Sequence, residues 1–172
     1  MIELRTNRLL LRMYRESDFE AYAEMSADPE VMKYIGDGKP LDRPMAWRNM
    51  ATMIGHWHLR GYGLWAVEEL ATGEFIGRIG CWNPEGWLGF EIGWMLRRGF
   101  WGRGFATEAA EAALRFAFED LRIPRIISQI HPMNNDSIRV AKRLGEQRID
   151  SSEVFGHPVD VYSLSQEEWR SR

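Results

Sequence analysis

The 172-residue sequence predicts an α/β (α+β) chain forming a single domain, residues 1–172, on a mixed, mostly antiparallel central sheet of about seven strands flanked by helices. Three observations predict it. Residues 87–121 read as strand, glycine loop and long helix, a unit whose following strand has to run parallel to the first because a helix connects them. Ahead of that unit lie short alternating strands joined by tight turns, with two helices among them. No repeat, low-complexity tract or linker divides the chain, and its length suits one core that buries about 70% of the unfolded surface.

In order, Leu9, Leu11 and Met13 alternate with Arg8, Leu10 and Arg12 as a first strand. Ser17 and Glu20 have the spacing of a capping box, opening a helix that runs to about Ala27 and stops at Asp28-Pro29. Asp42 and Pro44 start a second helix, which is expected to turn Trp47, Met50, Ala51, Ile54, Trp57 and His58 inward. Strands 64–70 and 75–82 form a hairpin through Ala71-Thr72-Gly73-Glu74. The central strand then sets Leu88, Phe90, Ile92, Trp94 and Leu96 on one face and Gly89, Glu91, Gly93 and Met95 on the other. Ala106, Ala109, Ala110, Ala113, Leu114, Ala117 and Leu121 recur at helical spacing, small enough to lie close on a sheet. Residues 126–130 form the parallel strand, Asn134-Asn135-Asp136-Ser137 caps another helix, and two last strands turn at Gly156-His157-Pro158.

Composition removes several classes of function. A net charge of −3 argues against a general nucleic-acid or anionic-membrane binder, although the arginines at 97–103 can hold a small polyanion. The single Cys81 excludes an intrachain disulfide and an all-Cys metal site, and makes a cytoplasmic setting the default. His, Asp and Glu nowhere show metal-ligand spacing, so no metal is expected. No apolar run approaches the ~18 residues of a membrane span, and the charged N-terminus is no secretory signal.

The glycine loop carries the chemistry. Gly99, Gly102 and Gly104 allow a curved backbone whose N–H groups converge, and the helix starting near Phe105 adds four free N–H groups and its positive dipole end. A phosphate is the natural occupant. Helix-end electrostatics contribute only about 0.3–2 kcal/mol, so loop amides and Arg97, Arg98 and Arg103 are expected to supply much of the rest. A dinucleotide fingerprint fails, since Thr107 stands where Gly or Ala belongs, His131-Pro132 replaces the acid, and the chain does not open with βα units. The lysine of a Gly-Lys-Ser/Thr loop is missing too.

Trp101-Gly102-Arg103-Gly104-Phe105-Ala106-Thr107-Glu108-Ala109 resembles the acetyl-coenzyme-A loop of the GNAT superfamily of N-acetyltransferases. Thr6–Arg12, Gly73–Gly77, Glu91–Trp94 and Asn134–Arg139 are similar to the branch that acetylates protein N-termini, the ribosomal-protein alanine and serine acetyltransferases. The resemblance implies a GNAT-type sheet splayed between its fourth and fifth strands, with acetyl-CoA as cosubstrate. It places the pyrophosphate on amides of Gly102, Arg103, Gly104, Phe105 and Ala106, with Thr107 in the same motif, and pantetheine along Trp94, Met95 and Leu96. It puts Asn134 near the coenzyme. Gly99 stands where the family often has Gln or Arg, so Arg97 or Arg98 takes that part. Ala141 stands where many relatives have the tyrosine acid, and Ser137 is the replacement.

The reaction implied is direct attack of a primary amine on the thioester, with Glu91 as base and Ser137 as acid. An α-amine with a pKa near 7.8 is roughly a quarter neutral at physiological pH and a lysine about one part in a thousand, so Glu91 suits a protein or peptide N-terminus better. A small amine (polyamine, amino acid or aminoglycoside) and a non-catalytic CoA-binding module are the alternatives. Structural roles are open to the same residues: a strand carboxylate for Glu91, helix-start positions for Asn134 and Ser137. A monomer or homodimer is compatible with the sequence.

Overall fold

The computed structural model describes residues 2–172. Eight strands form one sheet: β1 (Leu4–Arg5), β2 (Leu9–Arg12), β3 (Leu64–Glu69), β4 (Phe75–Trp82), β5 (Glu91–Leu96), β6 (Arg125–Ile130), β7 (Gln147–Val154) and β8 (His157–Ser165). Their spatial order is β1-β2-β3-β4-β5-β6-β8-β7, antiparallel throughout except for the parallel β5–β6 pair. The expected seven strands become eight because Leu4 and Arg5 pair with Leu11 and Leu10. Helices are α1 (Phe19–Ala27), α2 (Pro29–Met32), α3 (Arg43–Arg60), α4 (Phe105–Arg115), α5 (Asn135–Arg143) and α6 (Gln166–Arg170).

The sheet has a core on each face. Under α4, the stripe Ala109, Ala110 and Ala113 meets Ile76, Ile79, Ile92 and Leu96, closed off by Phe118 and Trp169. Under α1 and α3, Tyr22, Met25, Met50 and Met53 cover Leu64, Ala66, Phe75 and Met95. The α3 face differs from the expected one. Its buried stripe is Ala46, Met50, Met53 and Trp57, leaving Trp47 57% and Ile54 39% exposed and His58 at the surface. Two apolar stripes lie side by side on this helix, and the Trp57 Nε1 bond to the Leu64 carbonyl (2.9 Å) holds the rotation that buries the methionine one.

Two end structures also depart from expectation. Ser17 does not cap α1. Asp18 is buried instead, accepting from the Arg15 amide and from both terminal nitrogens of Arg12 at 2.7–2.8 Å. Arg12 in turn reaches Glu68, pinning α1 to β2 and β3. The last hairpin turns at Phe155-Gly156, both with positive φ (50° and 79°), so His157 and Pro158 belong to β8. A two-residue loop of that geometry matches the right-handed twist of its strands.

Arg12 and Asp18 expose only 3% and 4% of their side chains, so removing one partner strands a charge in the interior. Asp18→Ala is expected to cost about 3 kcal/mol and lower the melting temperature by about 8 °C, measured by thermal unfolding.

Candidate active site

Strands β5 and β6 meet at a single register position, Glu91↔Ile127, and then part. The Ser128 hydroxyl donates to the Ile92 carbonyl at 2.8 Å as a last tether. From Gly93 to Leu96 the edge of β5 has no strand beside it, which is the splay the resemblance implied. A cleft of about 660 Å³ opens here, and Glu91, Trp94, Met95, Asn134 and Ser137 all line it. Residues 33–38 wall one side and the tip of the β7–β8 hairpin, with Phe155 tilted toward Trp87, walls the other.

At the other end of the split the glycine loop enters α4. Gly102 and Gly104 hold left-handed backbone (φ 71° and 81°), and Gly104 is the N-cap. Amides from Gly102 to Thr107 donate to no other group among the described residues, so a run of N–H groups is left for an anion. The Thr6–Arg8 segment braces this loop. Arg8 donates to the Arg103 carbonyl (3.0 Å) and to Glu108 (2.6 Å), and Thr6 also donates to Glu108 (2.6 Å). Carbonyls are thereby tied inward. Gly102, Arg103, Gly104 and Thr107 border a shallow hollow that Arg143 of α5 completes.

The three arginine side chains expected at the phosphate go elsewhere. Arg97 donates to the Phe75 carbonyl and pairs with Glu24, and Arg98 pairs with Asp28. Arg103 pairs with Glu69 at 2.7 Å while lying over the Phe105 ring. Phe105 is core, only 2% exposed, and Leu96 packs under α4, so what these two offer a ligand is backbone. Ala106, half-buried, likewise presents its amide.

Glu91 accepts from Trp87 Nε1 (2.5 Å) and Gln129 Nε2 (3.1 Å). Burial raises its pKa to about 7, against the opposing pull of those two donors and of Arg78. Of the two glycines beside it, Gly93 borders the cleft, where an added methyl would lie 3.7 Å from the Glu91 carboxylate. Gly89 lies outside the strand and faces Ile127, so the open volume beside Glu91 comes from Gly93. Ser137 sits at the start of α5, where the Asn134 side chain accepts from its amide (3.2 Å). Its hydroxyl accepts from Trp94 Nε1 (3.1 Å), which leaves the hydroxyl proton free to be donated into the cleft. Ala141 is wholly buried, so nothing at that position reaches the reacting groups.

A sheet split at its parallel pair, with free amides at one end of the gap and an enclosed carboxylate at the other, has the form of a cleft for a phosphate-bearing ligand. The Acetyltransferase (GNAT) domain family matches residues 8–147, and the chain belongs to it, an acyl-CoA-dependent N-acetyltransferase. It is 33% identical over 168 residues to YkkB of Bacillus subtilis, covering 93% of this chain and 94% of that one. It is 25% identical over 181 residues to the ribosomal protein uS5 alanine N-acetyltransferase of Escherichia coli, covering 98% and 87%. The crystal structure of an acetyltransferase from Agrobacterium tumefaciens matches with a TM-score of 0.84 at 35% identity, covering 95% and 94%. No helix is long and apolar enough to cross a membrane, and no group of three or more His, Cys, Asp or Glu is placed to hold a metal among the described residues.

Sequence reasoning missed Trp87, Gln129, Arg78, Arg143 and Glu146. A lone arginine in the apolar strand Phe-Ile-Gly-Arg-Ile-Gly-Cys-Trp was one available signal and Trp87, four residues before Glu91, another; Gln129, Arg143 and Glu146 depend on distant pairing. Glu146 is 3% exposed, with one oxygen unpartnered and the other 3.1 Å from Ser128 Oγ. That hydroxyl has one proton and already gives it to Ile92. Both contacts are therefore hydrogen bonds only when Glu146 is a neutral acid that donates to Ser128. Burial raises its pKa to about 8, in agreement. A raised acid contributes stability that is present below the unfolded value of 4.5 and lost as pH rises to about 8. Glu146→Gln is expected to melt with wild type near pH 4.5 and about 10 °C or more above it at pH 9, checked by thermal scans across that range.

Proposed function

We propose that the chain moves an acetyl group from acetyl-CoA to a protein or peptide N-terminal α-amine by direct attack. The observation that carries this reading is Glu91: an enclosed carboxylate with its pKa lifted to about 7, on the wall of the split that the free loop amides close. Amides of Gly102 to Thr107 hold the pyrophosphate, Arg143 adds positive charge, and the unpaired edge of Trp94–Leu96 receives the pantetheine arm. Acetyl-CoA supplies the activated acyl group. Glu91 takes the amine proton, directly or through one water. Ser137, whose hydroxyl proton is free, donates to the departing thiolate.

Proton affinities favour the α-amine. Passing a proton from an α-ammonium near 7.8 to a carboxylate near 7 is uphill by about 1 kcal/mol, whereas from a lysine near 10.4 it costs about 4.6 kcal/mol. The E. coli relative that acetylates a ribosomal protein alanine supports the same class of acceptor.

Thiol release from acetyl-CoA with a panel of N-terminal peptides tests the reading. The rate under kcat/KM conditions is expected to rise with pH through about 7, because the base works as the ionised form that exists above its pKa. Glu91→Gln should lower kcat about 10²–10⁴-fold and abolish that inflection; an unchanged profile refutes the assignment. Ser137→Ala keeps the amide that Asn134 caps, so its melting temperature should match wild type while kcat falls about tenfold or more.

A further inference from the structure

Arg78 is the one arginine in the cleft, and nothing in the reaction proposed above uses it. It extends from β4 on the face shared by Glu91, because the β4–β5 register pairs Arg78 with Met95 and Trp82 with Glu91. Arg12, Arg97, Arg98 and Arg103 each have a carboxylate partner, and Arg78 has none among the described residues. Its Nε is buried without a hydrogen-bond partner. Around it stand neutral groups. The phenols of Tyr14 and Tyr22 are close enough for its charge to oppose the burial that raises both of them, and Tyr22 gives its proton to Asn49 at 2.5 Å. Two of the neighbouring polar atoms, Ser26 Oγ and Tyr14 Oη, are also buried and unpartnered, and Ser26 and Asn49 line the cleft with Arg78.

A guanidinium lining a cleft with no carboxylate at ion-pair distance among the described residues, its Nε and two hydroxyls left unpartnered, is a site missing its ligand. We infer that Arg78 recognises a carboxylate that the acceptor carries close to its reacting amine. This rests on the acetyltransferase reading of the same cleft. Two cations, Arg78 and Lys33, line the cleft against the three carboxylates Glu91, Asp37 and Glu85, a balance that suits a monoanionic ligand better than a dianionic phosphate. A planar carboxylate also matches a guanidinium fork. Four residues of strand separate the two levels by about 13 Å, and both side chains reach into the cleft, leaving roughly 5–10 Å between the groups. An α-amine with an acid side chain on the same or the next residue bridges that span. Such an acceptor comes either as an acidic peptide N-terminus or as a free acidic amino acid.

The experiment compares a C-terminally amidated Glu-initiated tripeptide with its Gln-initiated twin, and the α-amide of glutamate with the α-amide of glutamine, so that each pair differs only in the side-chain carboxylate. Binding is read by tryptophan fluorescence of the CoA-loaded protein, since Trp82 and Trp87 line the cleft, and turnover by thiol release. The acid form of at least one pair should bind about tenfold or more tightly than its amide, a difference that Arg78→Gln erases and Arg78→Lys partly restores. The pair showing it identifies the source. Equal binding of acid and amide in both pairs overturns the inference, as does a preference that survives in Arg78→Gln. Because the wild-type comparison needs no variant, a misfolded Arg78→Gln leaves the question decidable. Selective binding without thiol release would refute the reaction while upholding the subsite.

Discussion

Everything at the site depends on two parallel strands that touch at one place and then diverge. A parallel pair cannot be joined by a tight turn, so the chain must leave β5, cross the sheet as a helix and return as β6. That crossover puts the loop and the first turn of α4 just beyond the C-terminal end of β5, which is where open α/β sheets gather ligands. Had β6 stayed in register along β5, the edge from Gly93 to Leu96 would be spent on sheet hydrogen bonds. The divergence leaves that edge, the amides beyond it and the Glu91 wall facing one gap. The small residues Ala109, Ala110 and Ala113 keep α4 close over the seam without filling it.

How far the sequence announces this arrangement depends on how local each cause is. Gly102 and Gly104, the α4 alanine stripe, the Asn134 cap and the parallel return at Arg125–Ile130 are set within a few residues and stand where the pattern placed them, whereas Gly99 falls in the short 3-10 turn Arg98–Phe100. The α3 face was not readable, because Trp47 and Ile54 make as good a stripe as Met50 and Met53 until Leu64 supplies an acceptor for Trp57. The arginines at 97, 98 and 103 look like phosphate ligands in a one-dimensional reading. Their partners Glu24, Asp28 and Glu69 come from α1, the residue that caps α2, and β3, and no local rule connects them. Thr6-Asn7-Arg8 shows the converse, a motif whose purpose emerges only as it reaches across to Glu108 and the Arg103 carbonyl. Those braces explain how a loop rich in glycine keeps its amides presented without spending its own arginines on the ligand.

Electrostatics inside the sheet impose a further ordering. Glu91 and Glu146 sit near enough for the charge of one to disfavour ionisation of the other. Two like charges in so dry a place would be costly, so as pH rises the pair gives up one proton before the other, the first near 7. Where that first charge resides follows from the donors. Glu91 has an indole and an amide N–H aimed at one oxygen, plus the field of Arg78. Glu146 has only a serine hydroxyl whose proton the Ile92 carbonyl already takes, and its second oxygen faces nothing. The charge therefore settles on Glu91, the carboxylate that opens to the cleft. The proton stays on Glu146, where it completes the Ser128 bridge that keeps β6 tied to β5 at the point of divergence. The ionised carboxylate that the proposed mechanism requires and a seam held at its fork are thus two outcomes of one unequal sharing of donors.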